Sequence, residues 1–212
     1  MKDPNLMTPS DVIIFARAPK IGVGKRRLAR DVGDRAAYDF YNANLQRLIQ
    51  ELSGGTWQLH VAVASEFEQH HPVFKHLSVI VQPEGDLGYR MSTVLSQFHG
   101  RARLIVGSDI PELDCTHVQD ALSALSSHQL VFGPALDGGF WGVGCSARYT
   151  PDAHFMRGVR WSSVNALADT LATVVSGTAI AEVTRLADVD DIDSYKEYLA
   201  STANRSRSKI SH

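Results

Sequence analysis

Two hydrophobic periods alternate along this chain, and that alternation restricts its fold more than any other feature. Short apolar or β-branched runs begin at Asp11 (DVIIFARA), Gln58 (QLHVAVAS), Leu77 (LSVIVQ), Ala102 (ARLIVGSD), Gln129 (QLVFGPA) and Phe140 (FWGVGC). Each has the length of a strand, and turn residues bound most of them. Between them lie stretches with helical spacing. Tyr38, Tyr41, Leu45, Leu48, Ile49 and Leu52 share one face, and SGG at 53–55 ends that helix. YRMSTVLSQF, CTHVQDALSALSS and VNALADTLATVVSG are further helices by the same pattern. Such alternation calls for a mostly parallel sheet with helices on both faces. Ligands of these sheets lie beyond the carboxyl ends of the strands, so the chemistry is expected just after the apolar runs.

Polar, glycine-containing loops occupy those places: ARAPKIGVGKRR after the first run, QPEGDLGYR after the third, GSDIPELD after the fourth and GPALDGG after the fifth. With 212 residues and no internal repeat or linker, a single α/β domain over 11–200 is expected. The polar ends, 1–10 and 201–212, are expected to be flexible. A net charge of −2 gives no general field for nucleic acid or anionic membrane. No apolar run approaches the roughly 20 residues of a membrane span. The first ten residues lack the apolar core of a signal peptide. Two cysteines, Cys115 and Cys145, make neither a disulfide framework nor a zinc spacing. A soluble, cytoplasmic protein is expected.

The first loop concentrates four cations, Lys20, Lys25, Arg26 and Arg27, around Gly22 and Gly24. It is not the phosphate loop of a nucleotide hydrolase. Five positions before Gly24 stands Pro19 instead of glycine, and Arg26 replaces the metal-binding hydroxyl after the lysine. What remains is either a solvated basic loop or a turn whose exposed N–H groups face an anion, with Lys25 as a point charge and Arg27 as a bidentate fork.

In GSDIP, Asp109 stands where the fourth strand ends, either as a turn residue or as a ligand for a hard cation between protein and phosphate. Magnesium takes only one or two carboxylates when substrate phosphates and water complete its shell. Asp114 or Thr116 is the better cap for the helix that follows. A second carboxylate is available in DVDDID. Asp191 and Asp193 suit a helix start, which leaves Asp190, at the end of an extended segment, as the metal candidate.

Taken together, FARAPKIGVGKRRLA, QPEGDLGYRM, GSDIPEL, GPALDGGFWGVG, RWSSVNALADTL and DVDD resemble a bacterial family of glycosyltransferase-like proteins. Its members have the GT-A, or nucleotide-diphospho-sugar transferase, fold, and some are named for an association with radical-SAM and selenodomain proteins. The resemblance covers residues 12–199 and extends distantly to phospholactate guanylyltransferase and the molybdenum-cofactor nucleotidyltransferases. It implies a single-domain, Rossmann-like three-layer α/β/α sandwich. It also implies Mg²⁺ or Mn²⁺ at Asp109 with Asp190 as second carboxylate. Nucleotide phosphates would lie near Arg17, Gly22, Gly24, Lys25 and Arg27, with Gln82, Gly85 and Arg90 lining the same site. Asp137, Gly138 and Gly139 would face the second substrate. Arg26 departs from the usual G-x-x-K-T-R-L, and DDIDSY from the usual continuation after the second aspartate.

The loop around Asp137 packs four glycines between Gly138 and Gly144 about Phe140 and Trp141, either as a hairpin with core aromatics or as a platform for a ring. Trp161 is either a core anchor or a residue facing the acceptor, and Ser162 or Ser163 is expected to cap the next helix. Three functions remain open. In the first, an acceptor hydroxyl attacks the anomeric carbon of a nucleotide sugar. In the second, a phosphate or hydroxyl attacks the α-phosphate of a nucleoside triphosphate. Either enzyme would rest on charge neutralisation, with Lys25, Arg27 and Asp109 as catalytic groups and Asp137 as a possible base by its position. The third is a nucleotide-binding homologue without turnover. The partners expected are a nucleotide or nucleotide-sugar donor and a small-molecule acceptor, without nucleic acid or a membrane span.

Overall fold

The computed structural model describes residues 9–210, with side chains through residue 201. The flexible end expected over 1–10 lies outside the described residues except for its last two. All six expected strands form: β1 (Asp11–Ala16), β2 (Gln58–Val63), β3 (Ser78–Val81), β4 (Arg103–Gly107), β5 (Leu130–Pro134) and β6 (Phe140–Cys145). A seventh, β7 (Ile180–Glu182), pairs parallel with β5. The sheet order is β3-β2-β1-β4-β6-β5-β7. Only β6 runs against its neighbours, because a short turn joins it directly to β5.

Helices cover both faces, giving three layers. Alternation within β1 decides which side chain goes where. Val12, Ile14 and Ala16 meet Leu45, Leu48 and Leu52 of α2 (Asp34–Leu52) and Val118 and Ala121 of α4 (Cys115–Ala124). On the other face Ile13 joins Met91, Val94 and Leu95 of α3 (Leu87–Gln97), with Leu167 and Leu171 of α5 (Ala166–Ala172) packed against them. A short helix, α1 (Arg26–Val32), opens directly from the first basic loop.

The last helix, α6 (Ile192–Ile210), runs past the boundary expected at 200, so helical backbone enters the stretch expected to be a flexible tail. Its Tyr195 and Tyr198 pack edge-on against Phe40 of α2. That contact anchors the aspartate-rich segment before it at the carboxyl edge of the sheet. No helix among the described residues is long and apolar enough to cross a membrane.

Candidate active site

The site begins where β1 ends. Residues 20–23 close a turn through Val23 N–H to the Lys20 carbonyl (3.0 Å), with Gly22 at φ +76°. Gly24 is left-handed as well, and so is Lys25, at φ +45°, a region costly for a residue with a Cβ. Three contacts hold Lys25 there. Its Nζ donates to the Val189 carbonyl, lies 3.0 Å from Asp109 Oδ1 and stands 3.4 Å from Asp190 Oδ1. Arg27 Nη2 reaches Asp190 Oδ2 at 3.2 Å from the first turn of α1.

Backbone bonds tie the three segments together. Leu28 N–H donates to the Asp190 carbonyl, and Val189 N–H donates to that of Asp109. A parallel bridge between Ala135 and Leu186 extends the edge of β5, so the segment after it passes the β5–β6 turn. Tyr41 braces the floor. Its hydroxyl donates to the Arg17 carbonyl (2.9 Å) and lies 3.3 Å from Ser108 Oγ, while Asn44 donates to the Ser108 carbonyl (2.7 Å). Burial, with Asp109 nearby, pushes the Tyr41 phenol up to about 12, so it remains a neutral donor.

Two cavities meet at Asp109. The first, about 310 Å³, gathers Arg17, Gly24, Lys25, Gln82 and Arg90, five of the residues assigned to the nucleotide by resemblance. Gln82 donates to the Ala62 carbonyl and Arg90 to that of Gly85, so both side chains are fixed by backbone. Gly85 serves there as an acceptor for Arg90, and Gly22 lines a separate niche with Gly24 and Asp34. The second cavity, about 300 Å³, contains Asp109, Asp137, Gly139, Trp161, Asp188 and Asp190 in its wall. Arg27 lies on this side, away from Arg17 and Arg90, while Lys25 lines the other, and both pair with Asp190 between them.

The aspartate pair expected from the sequence is brought together, and Asp188 joins it. Burial, then the charges of Asp137 and Asp190, raise the Asp188 carboxyl above the ordinary range, against the opposing pull of Lys25. Asp188 was visible only as one member of an acidic run; its inward position depends on the bridge at Leu186. Gly139 lies on the cavity wall with its N–H bonded to Asp137 Oδ1 (2.8 Å). Gly138 serves packing: a Cβ there would stand 2.1 Å from the Val164 carbonyl oxygen.

The aromatics divide similarly. Trp141 is core, with its indole N–H given to the Thr184 carbonyl, whereas Phe140 and Trp161 meet edge-on at the second cavity. The Trp161 indole nitrogen is buried without a hydrogen-bond partner. Asp114 caps α4 as expected. The expected serine cap of the next helix does not form. Ser163 Oγ instead bonds Arg160 O and Asn165 N–H ahead of α5, and Ser162 is left-handed at φ +59°.

Among the described residues, no group of three or more side chains forms a ready metal cage. Oxygen donors from Asp109 and Asp190 nevertheless suit a hard cation whose remaining ligands come from phosphate and water. Asp109 Oδ1 is buried and, apart from its ion pair with Lys25, lacks a well-directed hydrogen bond.

The same architecture occurs in solved structures. A protein of Desulfovibrio desulfuricans G20, provisionally described as a nucleotide-diphospho-sugar transferase, superposes with a TM-score of 0.75 at 24% identity, over 87% of this chain and 84% of that one. A cytidylyltransferase from Leptospira borgpetersenii gives 0.58 at 12% identity, over 88% and 83%. Rv0371c of Mycobacterium tuberculosis, in complex with manganese, gives 0.51 at 14% identity, over 92% and 100%. These similarities establish the GT-A-like fold. No curated protein matches the chain in sequence. A family model described as "uncharacterized protein conserved in bacteria (DUF2064)" matches residues 48–163, more than half of the chain, and the protein belongs to that family.

Proposed function

We propose that the protein is a nucleotide-dependent transferase, a glycosyltransferase that takes its sugar from a nucleotide-diphospho-sugar donor with Mg²⁺ or Mn²⁺ held at Asp109 and Asp190. The observation that carries this reading is the position of Asp109, on the wall shared by a basic cavity and one lined by aspartates and apolar side chains. A donor in the first cavity would set its diphosphate against Lys25, Arg17 and Arg90, with its sugar crossing to the second. The bound cation would supply charge neutralisation to the leaving diphosphate. Lys25 would help to hold the same oxygens, because its ammonium is already aimed at the junction. Asp137, oriented by Gly139 N–H, would take the proton of the acceptor hydroxyl. As that oxygen bonds to the anomeric carbon, the bond from this carbon to the diphosphate breaks and its electron pair leaves with the nucleotide.

Nucleotidyl transfer is the second reading, and one observation favours it. Position 107, which would carry the first aspartate of a D-x-D, is glycine, so β4 contributes a single carboxylate and Asp190 the other. Thermal unfolding against nucleoside triphosphates and nucleotide sugars, each with Mg²⁺, Mn²⁺ or EDTA, separates the readings. A metal-dependent rise with one nucleotide sugar, and product lost in Asp109→Ala, would support glycosyl transfer. A rise with a triphosphate alone would move the assignment to nucleotidyl transfer. Binding without product in any pairing would leave a non-catalytic nucleotide-binding homologue.

A further inference from the structure

Lys25 touches both halves of the site. Its Nζ lies 3.0 Å from Asp109 Oδ1 and 3.4 Å from Asp190 Oδ1, on the two carboxylates proposed to hold the divalent cation. The other oxygen of Asp190 meets Arg27 Nη2 at 3.2 Å. The ammonium and a divalent cation therefore claim the same pair of oxygens. Magnesium–oxygen bonds are about 2.0–2.1 Å long, so a cation bound there would stand within a few ångströms of Nζ. With the Lys25 side chain only 5% exposed, little water screens that repulsion.

The ammonium has a second place to go. Lys25 also lines the first cavity, beside Arg17 and Arg90, where the phosphates of a nucleotide would lie. Its flexible four-carbon stem can turn Nζ from the carboxylates to a phosphate oxygen. The main chain at Lys25 is left-handed, at φ +45°, and is held so by the Val189 carbonyl and the two carboxylates. Two of those three contacts are the ones that phosphate would replace. A residue kept in a costly conformation by exchangeable partners is suited to two positions.

We infer that Lys25 couples cation binding to nucleotide binding: its ammonium holds Asp109 and Asp190 against a divalent cation until phosphate in the first cavity draws it off. This rests on the transferase reading and adds to it a binding order, with nucleotide entering before the metal or together with it. The consequence runs against the usual effect of deleting a residue from a metal site. Removing Lys25 should raise the affinity for metal alone, because the competing charge goes with it.

The test uses the full-length protein with Mn²⁺ as the probe, read at neutral pH by loss of the EPR signal of the free aqueous ion. Titrations are run without nucleotide and with UDP, CTP or GDP in excess. Wild type is expected to bind Mn²⁺ about tenfold or more tighter with one of these nucleotides than without. Lys25→Met should bind Mn²⁺ alone about tenfold more tightly than wild type, and the gain from nucleotide should shrink by about the same factor. Lys25→Gln keeps a polar head beside Val189 and guards against a folding defect; it should shift both quantities in the same direction. Asp109→Asn should abolish Mn²⁺ uptake in each background, which locates the bound ion.

An Mn²⁺ affinity that is unchanged or lower in both lysine variants would overturn the inference, and so would a nucleotide gain as large as that of wild type. Uptake that survives Asp109→Asn would overturn it as well, by moving the ion elsewhere. Loss of the fold in both lysine variants, read by circular dichroism, would make Lys25 a structural tie and have the same result. A thermal-shift arm on wild type with the same nucleotides tests the transferase reading separately. Nucleotide binding beside unaltered Mn²⁺ affinity in the variants would sink only the coupling. Absence of all nucleotide binding to wild type would sink the transferase reading, and the coupling with it.

Discussion

Arg103 and Lys25 sit at opposite ends of the same parallel strands, both nearly sealed from solvent, and the protein holds them in different ways. Arg103 is 0% exposed, at the start of β4, and gives its three nitrogens to the carbonyls of Leu95, Arg101, Ser146 and Tyr149. These are backbone groups inside the fold. Lys25, whose side chain is 5% exposed, is held by Val189 O and by two carboxylates that remain 45% and 35% open to the cavities. A buried cation needs partners wherever it lies. Where all of them are internal, the arrangement is a clamp. Where two of the three face a cavity, the same cation can exchange partners with a ligand. That difference is the one expected if the carboxyl edge is the working end, and it is independent of any resemblance.

Substitutions can break that comparison or sharpen it. Asp109→Ala is expected to lower product formation by about a thousandfold, with a melting temperature within a few degrees of wild type. An unfolded variant would place Asp109 with Arg103 among the structural groups. Arg103→Met should cost about 3 kcal/mol in urea unfolding, because it orphans buried carbonyls that bind α3 and residues 146–149 to the sheet. Its activity per folded molecule should be kept, and a specific loss of activity would erase the contrast. Lys25→Met should show the reverse pattern, about fiftyfold lower turnover with a smaller change in stability.

The smallest effect concerns a pair between these extremes. Arg160 binds Asp169 through two side-chain bonds of 2.8 Å, and this hydrogen bonding holds the Asp169 carboxyl down to about 2. The lowered value stabilises the fold above the ordinary carboxylate range near 3.8 and is lost as pH falls through about 2. In urea, the unfolding midpoint of Asp169→Asn should therefore fall slightly less than that of wild type between those two values. The pair is solvent-exposed, so the difference will be modest.

Strands β1 to β6 were legible in the sequence because they are short apolar runs, and the loops after them were legible by position. β7 was not: Ile180–Glu182 is a three-residue edge strand, half exposed and paired on one side only, with too little pattern to read. Asp109 was legible because a strand ending in Gly-Ser-Asp before proline leaves its carboxylate at the sheet edge. The acidic run at 188–193 showed that carboxylates were available but not how they divide. Asp191 caps α6 through Ser194 N–H, Asp190 meets the cations, and Asp188 turns to the cavity. That division follows from the bridge at Leu186 and the seating of α6 on α2, both of them long-range contacts. The placing of the cations was hidden for the same reason, since Lys25 and Arg27 line different cavities yet meet at Asp190.

The reversed direction of β6 has a consequence for how such a site can change. Parallel neighbours must be joined by a crossover, whereas β5 and β6 are joined by residues 135–139 alone, at the active edge. Loop-closure entropy rises by only about 0.6 kcal/mol for each doubling of length, so this tip can gain residues without disturbing the sheet order. The constraint lies at one position, Gly138, where any side chain would strike Val164. Insertions on either side of that glycine would reshape the mouth of the second cavity and leave the basic cavity untouched. Under the proposed transferase reading, the wall open to such variation would be set apart from the wall on which the donor depends.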